Sequence, residues 1–248
     1  MKRFLDITFS LICLVFFGPF LLLFAFLIWL DDRGSPVFVA SRVGLDGQKF
    51  KMFKLRSMVL NASDFGVDST ANNDQRITRF GFTVRKFKLD ELMQLINVLI
   101  GDMSLVGPRP NVERETDCYT EEEKRLLTVK PGITDFSSIV FSDEGAILEP
   151  YEDPDLAYNQ LIRPWKSRLG LFYIDNSSLK VDLSLMVLTA VSIFSRKKAL
   201  NGVSGILNNL NAEQSLVAAA KRDLPLKATP PPGQKSVVVS RGEPHLNG

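Results

Sequence analysis

The 248-residue chain holds one histidine and two cysteines. His245 stands three residues from the end, in a polar, proline-containing stretch, which excludes a Ser/His/Asp triad and a histidine metal site. Cys13 lies in an apolar run and Cys118 in a charged one, so no disulfide framework or metal pair is suggested and a reducing compartment fits. An excess of charge is missing too: 30 basic against 28 acidic residues give a net +2, which argues against nucleic acid as a partner. Internal repeats and coiled-coil heptads are also absent. Chemistry is left to carboxylates, lysine, arginine, serine and tyrosine. What is present, 45% hydrophobic and 23% charged residues, suits a folded chain with one main core.

From Phe4 to Leu30 the sequence is almost wholly apolar, long enough for a spanning helix of about 20 residues. The run ends in Trp29 and Leu30 and continues into Asp31, Asp32 and Arg33, unlike a cleaved signal peptide. Gly18-Pro19 stands at its midpoint, where proline removes a helix hydrogen bond. Two geometries stay open on these grounds: a helix that crosses the bilayer, and one turned back at Gly18-Pro19 so that both ends share a face.

Residues 36 to 55 read as two strands around Asp46-Gly47, a strong hairpin signal, ending in the basic Lys54 and Arg56. Asn61 to Asp74 reads as a polar loop. Leu89, Leu92, Met93, Ile96, Leu99 and Ile100 recur at helical spacing, which puts Asp90, Gln94 and Asn97 on the opposite face with Glu91 beside them. The carboxylates fall in the first turn, where the simplest reading is a well-placed helix start. Residues 101 to 110, GDMSLVGPRP, read as a rigid irregular turn able to hold Arg109 against phosphate oxygens, and KPGIT, 130 to 134, as a second turn. Between these turns, Thr120 to Leu127 reads as a charged helix. Ser178 to Ser195 is an apolar helix with a basic end at Arg196, Lys197 and Lys198, suited either to the membrane interface or to the core. Residues 204 to 222 read as a marginal helix, and the tail from Leu224 as disordered.

Several stretches together resemble the monotopic phosphoglycosyl transferases, the bacterial sugar transferases that start glycan assembly on undecaprenyl phosphate. They are Lys2, Arg3 and Asp6 before a proline-broken helix; Pro36-Val37-Phe38 with Arg42, Gly44, Gly47 and Phe50; Lys54-x-Arg56-Ser57-Met58; Asp74 with Arg76 to Arg79 and Gly81; Arg85 to Pro110; and Lys130 to Thr134. The resemblance covers roughly residues 1 to 195. It implies that Asp90 attacks the sugar-side phosphate of a nucleotide (UDP-type) sugar, that Glu91 binds a metal, Mg2+, and that Lys54, Arg56, Arg85 and Arg109 bind phosphate. It also implies a re-entrant helix broken at Gly18 and Pro19, and a catalytic domain on the cytoplasmic face of the bacterial inner membrane. The competing readings are a carboxylate-pair nucleotide-sugar hydrolase and an inactive membrane scaffold.

The chain departs from that pattern in three places. Lys88 stands where Ser or Thr usually caps the helix, Met93 where proline is usual, and Asp135 to Ser142 where many members read GWAQVNGR. The expected architecture is α+β: a re-entrant helix over 1–33, a compact, mostly helical catalytic domain with a small hairpin and interfacial helices over 34–200, and an extension over 201–248. The sugar, the final glycan and self-association into a homo-oligomer stay open.

Overall fold

The computed structural model describes residues 1–62 and 74–239. Most of the polar loop expected over 61 to 74, and His245, lie outside those residues. Helix α1, Lys2–Asp32, opens the chain. It is followed by the hairpin of β1, Val37–Val43, and β2, Lys49–Leu55, antiparallel with Val37 opposite Leu55 and Val43 opposite Lys49. Asp46 and Gly47 carry the turn with φ of 54° and 74°, the left-handed pair an Asp-Gly hairpin needs.

Helix α2, Arg79–Lys86, leads to a 3-10 turn, Leu89–Met93, which runs directly into α3, Gln94–Ile100. Strand β3, Ser104–Val106, follows, then α4, Glu113–Thr116, a 3-10 segment Glu123–Thr128 in place of the expected charged helix, and β4, Gly132–Thr134. The two turns expected around GDMSLVGPRP and KPGIT each contain a strand, and β3 and β4 pair in parallel, Ser104 with Gly132 and Val106 with Thr134. The backbones meet so closely past β3 that a Cβ on Gly132 would lie 2.1 Å from the Gly107 amide nitrogen, so glycine is required there.

Short helices α5, Phe136–Val140, α6, Glu144–Leu148, and α7, Pro154–Ala157, precede a π-helical turn, Tyr158–Ile162. The long α8, Arg163–Asn176, α9, Leu179–Phe194, α10, Arg196–Asn209, and α11, Gln214–Lys221, complete the molecule. The small strand content beside many helices matches the α+β expectation.

One apolar core runs from Met52 on the hairpin through Val98, Phe136, Leu169 and Leu185 to Val203, Leu207 and Val217. The boundary expected after residue 200 therefore falls inside α10, whose apolar face completes the core. The tail expected to be loose from Leu224 is held as far as Val238: Thr229 N–H donates to the Gln160 carbonyl, Thr120 Oγ1 to the Pro232 carbonyl, and Gln160 Nε2 to the Val238 carbonyl. Proline fixes φ and reduces the freedom lost on docking, which lets this segment lie ordered without regular structure.

Helix α1 is continuous through Gly18 and Pro19, so the expected helix-break-helix is not an interruption of the helix. Its 31 residues span roughly 46 Å at 1.5 Å per residue. Its length and an 18-residue stretch of mean hydropathy 2.9 make it long and apolar enough to cross a membrane, and only 11% of that stretch is buried. One stripe, with Leu21 and Ile28, packs on Leu55 and Val84, while Phe4, Phe16, Leu22 and Phe26 face outward.

Candidate active site

Asp90 and Glu91 lie on the 3-10 turn rather than in the first turn of an α-helix. Lys88 begins this turn in the left-handed conformation, φ 54°, and gives it no side-chain cap. The tighter winding directs the two carboxylates, half-buried, toward the end of β2 and the loop after β3. The expected polar face of α3 is not solvated: Gln94 and Asn97 are buried. Asn97 Oδ1 accepts from Phe53 N–H at 3.0 Å and its Nδ2 donates to the Lys51 carbonyl at 2.6 Å. Residues 51 and 53 present these groups on the same strand edge, so one amide side chain stands in for a neighbouring strand and fixes β2, with Lys54, against the helix carrying the carboxylates.

Arg109, three residues past β3, donates from Nη2 to Glu91 Oε1. Burial on its own would raise Glu91, but Arg109, Lys88 and Lys54 outweigh it and hold the carboxyl down at about 2. Asp90 is affected in the opposite direction: burial, then the neighbouring Glu91 charge, raise it against the pull of Lys54, Arg85 and Arg109. Lys54 is lowered to about 8, by burial first and then by Arg109, although Glu91 and Asp90 favour its charge. Two adjacent carboxyls thus differ in character, one held ionised and the other reluctant to ionise, under three cationic groups.

Lys54, Arg85 and Arg109 are the expected residues gathered around Asp90 and Glu91. Arg56 is not free to join them. It lies one residue beyond β2, where strand alternation no longer sets its direction, and is buried with Nη2 2.6 Å from Asp32 Oδ1 at the end of α1. Two contributors were not legible as such. Lys88 acts on Glu91, and Asp135, whose side chain caps α5 by accepting from Ser138 N–H at 2.7 Å, acts on Arg109. Their only signal in the sequence was departure from the family pattern. Among the described residues, no group of three or more His, Cys, Asp or Glu side chains is placed to hold a metal. The donor set present, an ionised Glu91 beside an Asp90 that burial first and then the Glu91 charge push toward neutrality, would suit Mg2+ bound through few protein oxygens and completed by phosphate and water.

The chain is thus a helix-rich α+β domain with an apolar N-terminal helix and a carboxylate pair beneath basic side chains. The family model described as "Bacterial sugar transferase" matches residues 1–196. The chain belongs to this family. It is 38% identical over 142 residues to the UDP-N-acetylgalactosamine-undecaprenyl-phosphate N-acetylgalactosaminephosphotransferase of Aeromonas hydrophila, covering 56% of this chain and 34% of that protein. It is 34% identical over 203 residues to the UDP-glucose:undecaprenyl-phosphate glucose-1-phosphate transferase of Escherichia coli (strain K12), covering 80% and 41%. It is 35% identical over 205 residues to the exopolysaccharide production protein PSS of Rhizobium leguminosarum bv. phaseoli, covering 80% and 97%. The chain thus spans about a third of the Aeromonas protein's length and nearly all of the Rhizobium protein's.

Proposed function

We propose that the chain transfers a sugar-1-phosphate from a nucleotide sugar, of UDP type, to undecaprenyl phosphate through an acyl phosphate on Asp90, and so begins the assembly of a surface glycan. The observation that carries this reading is the convergence of Lys54, Arg85 and Arg109 on the Asp90-Glu91 pair. An Asp90 carboxylate oxygen attacks the phosphorus nearest the sugar. The new P–O bond forms as the bond to the bridging diphosphate oxygen breaks, and UMP leaves. An oxygen of the polyprenyl phosphate then attacks the same phosphorus, and Asp90 departs as a carboxylate. Splitting the transfer in this way lets two anionic substrates use one site in turn. Lys54, Arg85 and Arg109 hold phosphate oxygens and offset the negative charge gathered when an anionic nucleophile meets an anionic donor. Glu91, whose carboxylate also accepts from Arg109, would hold magnesium through a carboxylate oxygen. When bound, the metal supplies further neutralisation of phosphate charge.

The apolar α1 supports attachment to a membrane, and we assign the domain to the cytoplasmic face of the bacterial inner membrane. Arg3 and Lys2 at the start of the helix and Asp32 at its end all bond to the same domain, which favours both ends of this unbroken helix lying at one face of the bilayer. The outward Leu183, Val187 and Phe194 of α9 suit an interfacial position, with Lys197 and Lys198 toward headgroups; Arg196 is instead paired with Asp143 at 2.8 Å.

The test is full-length protein in lipid nanodiscs with magnesium, undecaprenyl phosphate and a panel of UDP-sugars. The expected result is UMP release with one donor and a matching lipid-linked phosphosugar. No UMP release with any donor would overturn the reading, and release without a lipid product would point to hydrolysis.

A further inference from the structure

The opening turn of α1 carries three charged side chains, and each is used on the catalytic domain rather than on the membrane. Asp6 is 6% exposed inside an otherwise apolar helix. Its carboxylate accepts from Ser104 Oγ at 2.9 Å and from Leu105 N–H at 3.1 Å. Strand β3 has β4 on one side, toward which the Ser104 amide donates to the Pro131 carbonyl at 2.9 Å. The Leu105 amide, one residue on, points to the opposite edge, and Asp6 is its acceptor. Lys2 Nζ donates to the Val106 carbonyl at 3.0 Å, to Tyr173 Oη at 2.8 Å and to Asp182 Oδ2 at 2.6 Å, so the end of β3 is gripped as well. Arg3 Nη2 donates to the Leu99 carbonyl at 2.9 Å and its Nη1 to the Val98 carbonyl, meeting acceptors that the last turn of α3 leaves over and placing a cation at that helix end.

These contacts fall on both sides of a single bond. Glu91 precedes α3 by one 3-10 turn, and Arg109 follows β3 by three residues. The first turn of α1 therefore holds the helix behind Glu91 and the strand behind Arg109 in one fixed relation. A buried carboxylate in an apolar helix is costly unless every bond it accepts is made, so the Asp6 geometry tolerates little slippage.

We propose that Asp6, with Lys2 and Arg3, is a positioning residue for the reaction: docking of the membrane helix sets the distance between Arg109 and the Asp90-Glu91 pair. This rests on the transfer reading proposed for the site. A carboxylate of this kind read only as a membrane-topology signal would leave the chemical step unchanged once the protein is inserted.

The test combines a double-mutant cycle with hydrogen exchange on full-length protein in nanodiscs. Asp6→Ala is expected to lower kcat by about 100-fold, the scale of a misplacement near 1 Å, while leaving membrane association intact. Asp6→Asn, which keeps a carbonyl oxygen for the Leu105 amide, recovers most of that loss. In an Arg109→Lys background the same Asp6→Ala change has a much smaller effect, because the group it positions is already displaced. Amides in the segment 101–110 exchange faster in Asp6→Ala, while those of α10 do not. Additive penalties in the cycle, or unchanged exchange in 101–110, would overturn the proposal. An inactive wild-type chain would count against the transfer reading alone, and the exchange experiment would then decide the positioning by itself.

Discussion

Arg56 with Asp32 and Arg109 with Glu91, two of the molecule's arginine-carboxylate pairs, are of nearly the same chemistry yet stand in different surroundings. The first ties the end of α1 to the end of the hairpin, and the hydrogen bond from Arg56 lowers Asp32 to about 2. No residue in it is pressed toward the wrong charge state. The second lies under Lys54 and Lys88 with Asp90 alongside, where burial and like charge push Lys54 down and Asp90 up. Here the pair beside Asp90 has neighbours of both signs, Lys54 and Asp90, held away from their ordinary ionisation, whereas the pair at Asp32 joins two elements without such neighbours.

The comparison breaks most visibly at Asp90. Asp90→Asn removes the proposed nucleophile and should lower transfer by at least roughly 1,000-fold in a UMP-release assay, with folding intact by circular dichroism. Arg109→Gln should come next, with kcat down about 100-fold, since one donor to the developing charge is lost. Arg56→Gln is the matched control: it should lower thermal stability and the yield of membrane-inserted protein, yet leave kcat per folded molecule close to wild type. Activity loss in Arg56→Gln as deep as in Arg109→Gln would erase the distinction.

The pH profile sharpens the same contrast with a smaller effect. Lys54 must be protonated to hold phosphate, and its ordinary value of 10.5 is lowered to about 8. Because the pKa is lowered, the charged form is lost early, and kcat/KM should fall as pH rises through about 8. In kcat the fall should move to higher pH, because a bound phosphate favours the charged lysine. On the acid side, Asp90 is raised, so activity should appear at higher pH than for an ordinary carboxylate of 3.8. A kcat/KM profile flat from pH 7 to 9 would contradict the place given to Lys54. The smallest expected effect is Asn97→Ala, which strands the Phe53 amide and the Lys51 carbonyl and should cost about 1–3 kcal/mol of stability in a denaturant titration.

How legible the molecule is in its sequence follows from the range of the interactions. The hairpin was readable because Asp46-Gly47 acts locally, and α1 and α9 because a long apolar run shows without any partner. Strands β3 and β4 were not, since three residues carry no period and their pairing joins segments about 28 positions apart. The burial of Gln94 and Asn97 went unseen because a polar side chain that closes a strand edge looks, in a helical pattern, like a solvated one. The extent of the C-terminal packing was hidden for a related reason: α10 and α11 carry few large apolar residues and are completed by the core they join. At the site, Lys54, Arg85, Arg109, Asp90 and Glu91 were readable through family resemblance, whereas Arg56 shared their motif and was claimed by a residue 24 positions away.

The account rests on phosphorus becoming bonded to Asp90, and mass spectrometry of the full-length protein after brief exposure to magnesium and its UDP-sugar, without lipid acceptor, tests that directly. The account predicts a mass increase of one phosphosugar, mapped to the peptide bearing Asp90, lost in Asp90→Asn and discharged when undecaprenyl phosphate is added. An adduct on another residue, or none at any time while UMP and lipid-linked product form together, would contradict it.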